Sequence, residues 1–203
     1  MIADLICLTA RLISGLSVRW IGCAPEDKQR IYFANHTSHL DFVVIWTALP
    51  KSLRTKTRAV AAKDYWQKGK LRPYLAKEIF QTVLIERKHI ALHDEEGNPL
   101  QAMLQALQQG SSLIVFPEGT RGIQQEIQPF KPGIYHLHQA RPDAELIPVY
   151  LENLSRVLPK GEFLPVPILG SVTFGPPFNV EKGVLKNDFL LRARQAVEDL
   201  KSL

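Results

Sequence analysis

Six short apolar runs, at 29–34, 58–62, 82–85, 112–116, 145–150 and 171–174, alternate along the chain with segments of helical periodicity. That alternation restricts the fold more than any other feature of the sequence. A run such as Ser112-Leu113-Ile114-Val115-Phe116 lacks the in–out pattern of a half-solvated strand and reads as a buried strand. Strands separated by helices imply crossover connections and a parallel sheet. The expected architecture is therefore α/β: a single-domain αβ sandwich with a largely parallel mixed sheet and an N-terminal amphipathic helix. A chain of 203 residues can bury one such core, and no repeat, low-complexity tract or long linker divides it.

The N-terminal segment 1–21 reads as that helix. Ile2, Leu5, Thr9, Leu12, Ile13, Leu16 and Trp20 share one face, opposite Asp4 and Arg11. Asp4, Arg11 and Arg19 cut the segment into uncharged stretches far shorter than the roughly 18 apolar residues of a membrane span. Two roles stay open. The helix lies in a bilayer interface with its tryptophan at the headgroups, or it packs as the first core helix of a domain that continues over 22–203. An acid among the first residues and the lack of a basic n-region argue against a secretory signal. At the other end, 188–203 is amphipathic, with Asn187 or Asp188 as the expected cap.

Net charge is +5, and nine of the 25 lysines and arginines lie between Lys51 and Lys77 against one acid, Asp64. Tyr65, Trp66 and Tyr74 are interleaved with them. The pattern suits an anionic partner: a membrane surface, a phosphorylated substrate, or nucleic acid, the last on charge alone. A merely solvated basic surface fits as well. Cys7 and Cys23 are too few for a disulfide framework and lack metal-ligand spacing, which favours a reducing compartment.

Chemistry-bearing residues fall just after the predicted strands, where open parallel sheets collect their sites. His36 and Asp41 follow the first strand, Lys63 the second, Glu86 and Arg87 the third, and Pro117-Glu118-Gly119-Thr120-Arg121 the fourth. Partners on one helical face lie three or four residues apart, so His36 and Asp41, five apart, meet only through a turn, with a helix starting around Ser38 or His39. In that turn Asp41 engages one imidazole nitrogen and leaves the other as a base. Ser38-x-x-Asp41 is also a capping-box pattern, which makes Asp41 a helix-starting residue and His36 an ordinary loop histidine.

No G-x-S-x-G elbow, Walker loop or G-x-G-x-x-G is present. A base without a protein nucleophile points to activation of a substrate hydroxyl. Nearby cations point to an anionic substrate, most simply a phosphate ester held by the forked donors of Arg87 and Arg121. The pairs His36/His39, His89/His93 and His136/His138 lack consistently placed carboxylate or cysteine partners, so no metal site is expected.

Asn35-His36-Thr37-Ser38-His39-Leu40-Asp41 resembles the N-H-x-S-x-x-D motif of the glycerolipid acyltransferase family, whose members include 1-acyl-sn-glycerol-3-phosphate acyltransferases. Phe116-Pro117-Glu118-Gly119-Thr120-Arg121 is similar throughout to the family's F-P-E-G-T-R motif. Leu84-Ile85-Glu86-Arg87 and Leu146-Ile147-Pro148-Val149 resemble its second and fourth blocks, in the correct order. The resemblance implies transfer of a fatty acyl group from acyl-CoA or acyl carrier protein to the hydroxyl of a lysophospholipid such as 1-acyl-sn-glycerol-3-phosphate, in phospholipid biosynthesis. It implies His36 as base, Asp41 as its orienting partner and no acyl-enzyme. It assigns Glu118, Gly119, Thr120 and Arg121 to acceptor binding, Arg87 to the phosphate beside Arg121, and, loosely, Lys63 to the reacting carbonyl. Members of the family often carry membrane-spanning helices, whereas this chain offers only the interfacial segment. A peripheral or monotopic enzyme on the cytoplasmic face of the cell membrane is therefore expected, with an anionic membrane surface rather than nucleic acid as partner and no bound cofactor. One departure is Gln81, where the second block usually begins with glycine; a side chain there is expected to narrow or reshape the acceptor site. The alternatives are a catalytically silent lipid-binding protein on the same fold and an acyltransferase for a non-glycerophosphate lyso-lipid.

Overall fold

The computed structural model describes residues 2–38, 41–86, 98–122, 126–153, 170–181 and 183–202. Seven strands, β1 (Ser17–Trp20), β2 (Arg30–Ala34), β3 (Thr57–Ala62), β4 (Val83–Ile85), β5 (Ser112–Val115), β6 (Glu145–Glu152) and β7 (Ser171–Phe174), form one sheet in the order β1-β7-β6-β2-β5-β3-β4. The helices are α1 (Ile2–Ser14), α2 (Asp41–Ala48), α3 (Lys51–Arg54), α4 (Lys63–Trp66), α5 (Leu71–Tyr74), α6 (Pro99–Gln108), α7 (Gly133–Ala140) and α8 (Lys186–Glu198). A π-turn, Leu75–Ile79, extends α5. The five strands β6, β2, β5, β3 and β4 are mutually parallel; β7 is antiparallel to β6 and parallel to β1.

Strand periodicity sorts the side chains onto two faces. Tyr32, Ala34, Ile114, Ile147 and Phe174 point to the layer containing α1 and α2, whose Cys7, Phe42, Ile45 and Leu49 complete that core. Ile31, Phe33, Leu113, Val115 and Leu146 point to the opposite layer, where Met103 and Leu107 of α6, Leu137 of α7 and Phe189 of α8 cover them. The central strand β2 is buried along its whole length, which is why its sequence is apolar on both faces.

The pairing of β2 with β6 is clamped at both ends. At the start of β2, Arg30 is 1% exposed; its Nε donates to Glu145 Oε2 at 3.0 Å, and Glu145 is the residue opposite it in register. Just past the end, the Asn35 side chain accepts from the Leu151 amide at 2.8 Å and donates to the Leu151 carbonyl at 2.9 Å. An amide side chain here mimics one more ladder pair and satisfies backbone groups that are costly to bury unbonded.

Three local expectations are corrected. Residues 1–21 are not one helix: α1 ends at Ser14, Gly15 adopts φ +50, and Ser17–Trp20 is an edge strand on β7. Glycine reaches that left-handed conformation without the steric cost other residues bear, so it ends the helix. Trp20 consequently stacks on Phe174, with centroids 3.9 Å apart, instead of facing headgroups. On α1 itself, Ala3, Ile6 and Cys7 face the domain, while Ile2, Leu5 and Leu8 are exposed. Secondly, α8 starts at Lys186, with Leu185 at the cap position and no side-chain cap; the Phe189 amide bonds to the Leu185 carbonyl and closes the first turn earlier. No described helix is long and apolar enough to cross a membrane.

The third correction concerns Gln81. It is exposed, forms no part of the cavity described below, and has φ +45, a region in which residues with a Cβ are strained. The glycine expected there supplies backbone freedom between the π-turn and β4. Left-handed strain on an L-residue costs about 1–2 kcal/mol, and glycine loses roughly 0.5–1 kcal/mol of that advantage to its unfolded-state entropy. Gln81→Gly is therefore expected to raise stability by about 0.5–1 kcal/mol, seen as a higher urea midpoint at unchanged slope.

Candidate active site

The parallel strands β2, β3, β4 and β5 deliver their loops to one edge of the sheet, as parallel strands must. Past β2 the chain turns sharply, and the turn is built on one carboxylate. Asp41 is 0% exposed, and its Oδ2 accepts from Thr37 N at 2.6 Å, Ser38 N at 2.8 Å and His36 Nδ1 at 2.8 Å. The bond from Ser38 N is the return half of a capping box, so the two readings of Asp41 are compatible: it starts α2 and it holds the imidazole. An ionised carboxylate only accepts, so Nδ1 carries the proton and Nε2 presents its lone pair. The imidazole stacks on Phe116, at the end of β5, with centroids 4.3 Å apart and an interplanar angle of 23°.

A second buried carboxylate joins this turn to the loop after β5. Glu118 is 4% exposed; its Oε1 accepts from His36 N at 2.6 Å and its Oε2 from Gln128 N at 2.9 Å. The His36 carbonyl in turn accepts from Gly122 N at 2.9 Å. Both backbone groups of His36 are thus tied to the 116–122 loop. Burial raises the Glu118 pKa above the usual carboxylate value, and the two backbone amides, together with the nearby His36, oppose that shift.

His36 borders a cavity of about 830 Å³. Its wall combines polar, charged and aromatic residues, among them Asp64, Tyr65, Lys68, Glu86, Arg121 and Lys131, with apolar ones such as Val60, Ile85, Met103, Val115, Ile134 and Leu137. The volume lies in the range of small-molecule and cofactor sites. Among the residues anticipated from sequence, His36, Gly119, Thr120 and Arg121 meet at this cavity, and Asp41 supports His36 from behind. Glu118 engages backbone amides at the loop junction. Lys63 instead forms a half-exposed ion pair with Glu86 at 3.0 Å, and Glu86 lines the cavity. Arg87 lies outside the described residues. Asn35, Phe116 and Lys131 were given no role from sequence, although Asn35 and Phe116 each stand at a strand end inside a motif.

A histidine oriented by a buried carboxylate thus borders a cavity of mixed polar and apolar lining at the carboxyl edge of a parallel sheet. The acyltransferase family model matches residues 18–152, and the chain belongs to that family. It is 30% identical over 178 residues to the 1-acyl-sn-glycerol-3-phosphate acyltransferase of Limnanthes douglasii, an alignment covering 83% of this chain and 57% of that protein. It is 31% identical over 106 residues to the probable 1-acyl-sn-glycerol-3-phosphate acyltransferase of Mycoplasma genitalium, covering 52% of this chain and 38% of the other. The chain therefore spans only part of the length of these relatives. The crystal structure of the 1-acyl-sn-glycerophosphate (LPA) acyltransferase from Thermotoga maritima shares the fold, with a TM-score of 0.73 at 19% identity over 100% of this chain and 80% of that one.

Because both Glu118 oxygens accept backbone amides, Glu118→Gln is expected to place an NH₂ group against one of them. The loss should be about 1–3 kcal/mol in urea denaturation, since a buried donor is left without an acceptor.

Proposed function

We propose that this protein is an acyl-thioester-dependent O-acyltransferase that esterifies a lysophospholipid such as 1-acyl-sn-glycerol-3-phosphate, in phospholipid biosynthesis. The observation that carries the reading is the His36–Asp41 pair, at 2.8 Å, bordering a cavity whose wall holds both cations and a set of apolar side chains. A lysophospholipid and an acyl thioester likewise combine charged groups with a hydrocarbon chain.

In this mechanism His36 Nε2 takes the proton of the acceptor hydroxyl as its oxygen attacks the thioester carbonyl. The imidazolium that forms is stabilised by the buried Asp41 carboxylate. The tetrahedral intermediate then collapses: the C–O ester bond is retained, the C–S bond breaks, and the imidazolium proton goes to the leaving thiolate. No acyl-enzyme is involved, and either acyl-CoA or acyl carrier protein serves as donor. Val60, Met103, Ile134 and Leu137 offer an apolar wall to an acyl chain, and Arg121 faces the acceptor phosphate, with Arg87 as its companion. Lys63, paired with Glu86, is assigned in this reading to the reacting carbonyl.

The protein works in this reading as a peripheral enzyme on the cytoplasmic face of the membrane, with an anionic bilayer as its partner. Support comes from α1, where Ile2, Leu5 and Leu8 stand 48%, 63% and 56% exposed along one stripe. The basic 51–77 stretch adds exposed Leu71 and Tyr74.

His36→Ala is expected to lower acceptor-dependent thiol release from acyl-CoA by about 10²–10⁴-fold; unchanged turnover in a folded variant would falsify the base assignment. Leu5→Glu with Leu8→Glu is expected to weaken sedimentation with anionic vesicles by tenfold or more, on the order of the transfer cost of two apolar side chains. Full retention on the vesicles would leave α1 with a packing role only.

A further inference from the structure

Gly119 and Lys131 are fitted to each other. A methyl group on Gly119 would lie 2.6 Å from Lys131 Nζ, 2.8 Å from its Cε and 2.9 Å from its Cδ, all closer than real side-chain contacts allow. The lysine stem therefore lies across the bare face of the glycine. Its backbone is fixed as well, the Lys131 amide donating to the Pro117 carbonyl at 2.9 Å. Gly119 has φ +71, so the same residue both makes the turn and leaves the groove for the stem.

The ammonium so placed lines the same cavity as His36 and Arg121. Lys63, next to the site, pairs with Glu86 at 3.0 Å, and Lys68 adds a further cation to the cavity wall. Glu118, the carboxylate next to Gly119, is occupied by two backbone amides. Among the described residues, neither Lys131 nor Arg121 has a carboxylate within ion-pair distance. Two residues after Lys131, α7 begins with Gly133 in the cavity wall and no side-chain cap at Pro132, so the positive end of its dipole adds to the same region. A strongly hydrated ammonium held in a groove of a cavity wall that Arg121 shares, with no carboxylate of the described residues within ion-pair distance, is arranged for an anion that arrives with a ligand.

We propose that Lys131, seated in the Gly119 groove, is a binding residue for the phosphate monoester of the acceptor, acting with Arg121 from the opposite end of the same loop. Gly119 is its positioning residue. The inference rests on the acyltransferase reading for the identity of the ligand, while the anion site itself rests on the groove and the cations. A phosphate monoester can also come from the donor, on the nucleotide of CoA, so the experiment separates the two.

Steady-state kinetics on the full chain would vary a phosphorylated 1-acylglycerol, its phosphate-free counterpart and acyl-CoA in turn. Lys131→Met keeps the stem and removes the charge. It is expected to raise KM for the phosphorylated acceptor by about 10- to 100-fold, the range for a lost charge-assisted hydrogen bond, with kcat, KM for acyl-CoA and the phosphate-free acceptor little changed. Lys131→Arg should recover part of the loss. An unchanged acceptor KM, or an increase confined to acyl-CoA, overturns the proposal. Gly119→Ala, which also strains the turn, should raise KM for the phosphorylated acceptor by a larger factor in the wild type than in Lys131→Met; an equal factor in both backgrounds would overturn the coupling of the two residues. Calorimetry with glycerol 3-phosphate needs no turnover. Binding by the wild type that is lost in Lys131→Met supports the anion site even if no acyl product ever forms, an outcome that sinks the acyltransferase reading alone. Equal binding by both proteins sinks the site.

Discussion

One oxygen of one buried carboxylate organises the loop after β2. Asp41 Oδ2 collects two consecutive backbone amides and the imidazole Nδ1, so a single interaction centre sets the turn, starts α2 and aims His36. Burying a carboxylate is unfavourable unless donors compensate it, and the three donors are supplied by the five-residue segment before it. The geometry is therefore local in sequence and robust to what surrounds it. Glu118 repeats the device over a longer range, joining His36 to residues 82 and 92 positions further along the chain through its own two oxygens and backbone.

The sheet makes those two carboxylates neighbours. β2 and β5 are adjacent and parallel, with Phe33 opposite Val115, so the loops that leave them emerge side by side. Their common origin explains why Phe116 can stack on His36 and why the His36 carbonyl can reach Gly122. Clamping of β2 against β6 by Arg30 below and Asn35 above keeps the strand from sliding, and a slip of one residue would send His36 to the opposite face.

Much of this was legible in the residue order. Apolar runs marked the six strands they expected, and the five-residue interval between His36 and Asp41 required a turn of the kind found. What was hidden depended on information outside the local pattern. Ser17-Val18-Arg19-Trp20 becomes a strand because β7 offers it an edge, and its periodicity continues that of α1. Leu185 precedes a helix although two better caps follow it, because the turn closes by a backbone bond. Lys131 looked like one charge among 25, since its relation to Gly119 crosses twelve residues and exists only in three dimensions. Gln81 looked like an obstruction because a missing glycine suggests added bulk, whereas the backbone angle is what distinguishes the position.

That strained joint lies directly ahead of β4, a three-residue strand with a single partner at the outer edge of the sheet. Short edge pairing and stored torsional strain place β4 at the low end of local stability. Yet Ile85 and Glu86, which end it and follow it, belong to the cavity wall. One side of the cavity is thus stitched by carboxylates to the central strands, and the other rests on the short edge pairing of β4. The wall that β4 contributes and the turn that holds His36 therefore rest on separate sets of contacts, one an edge ladder and the other a pair of buried carboxylates.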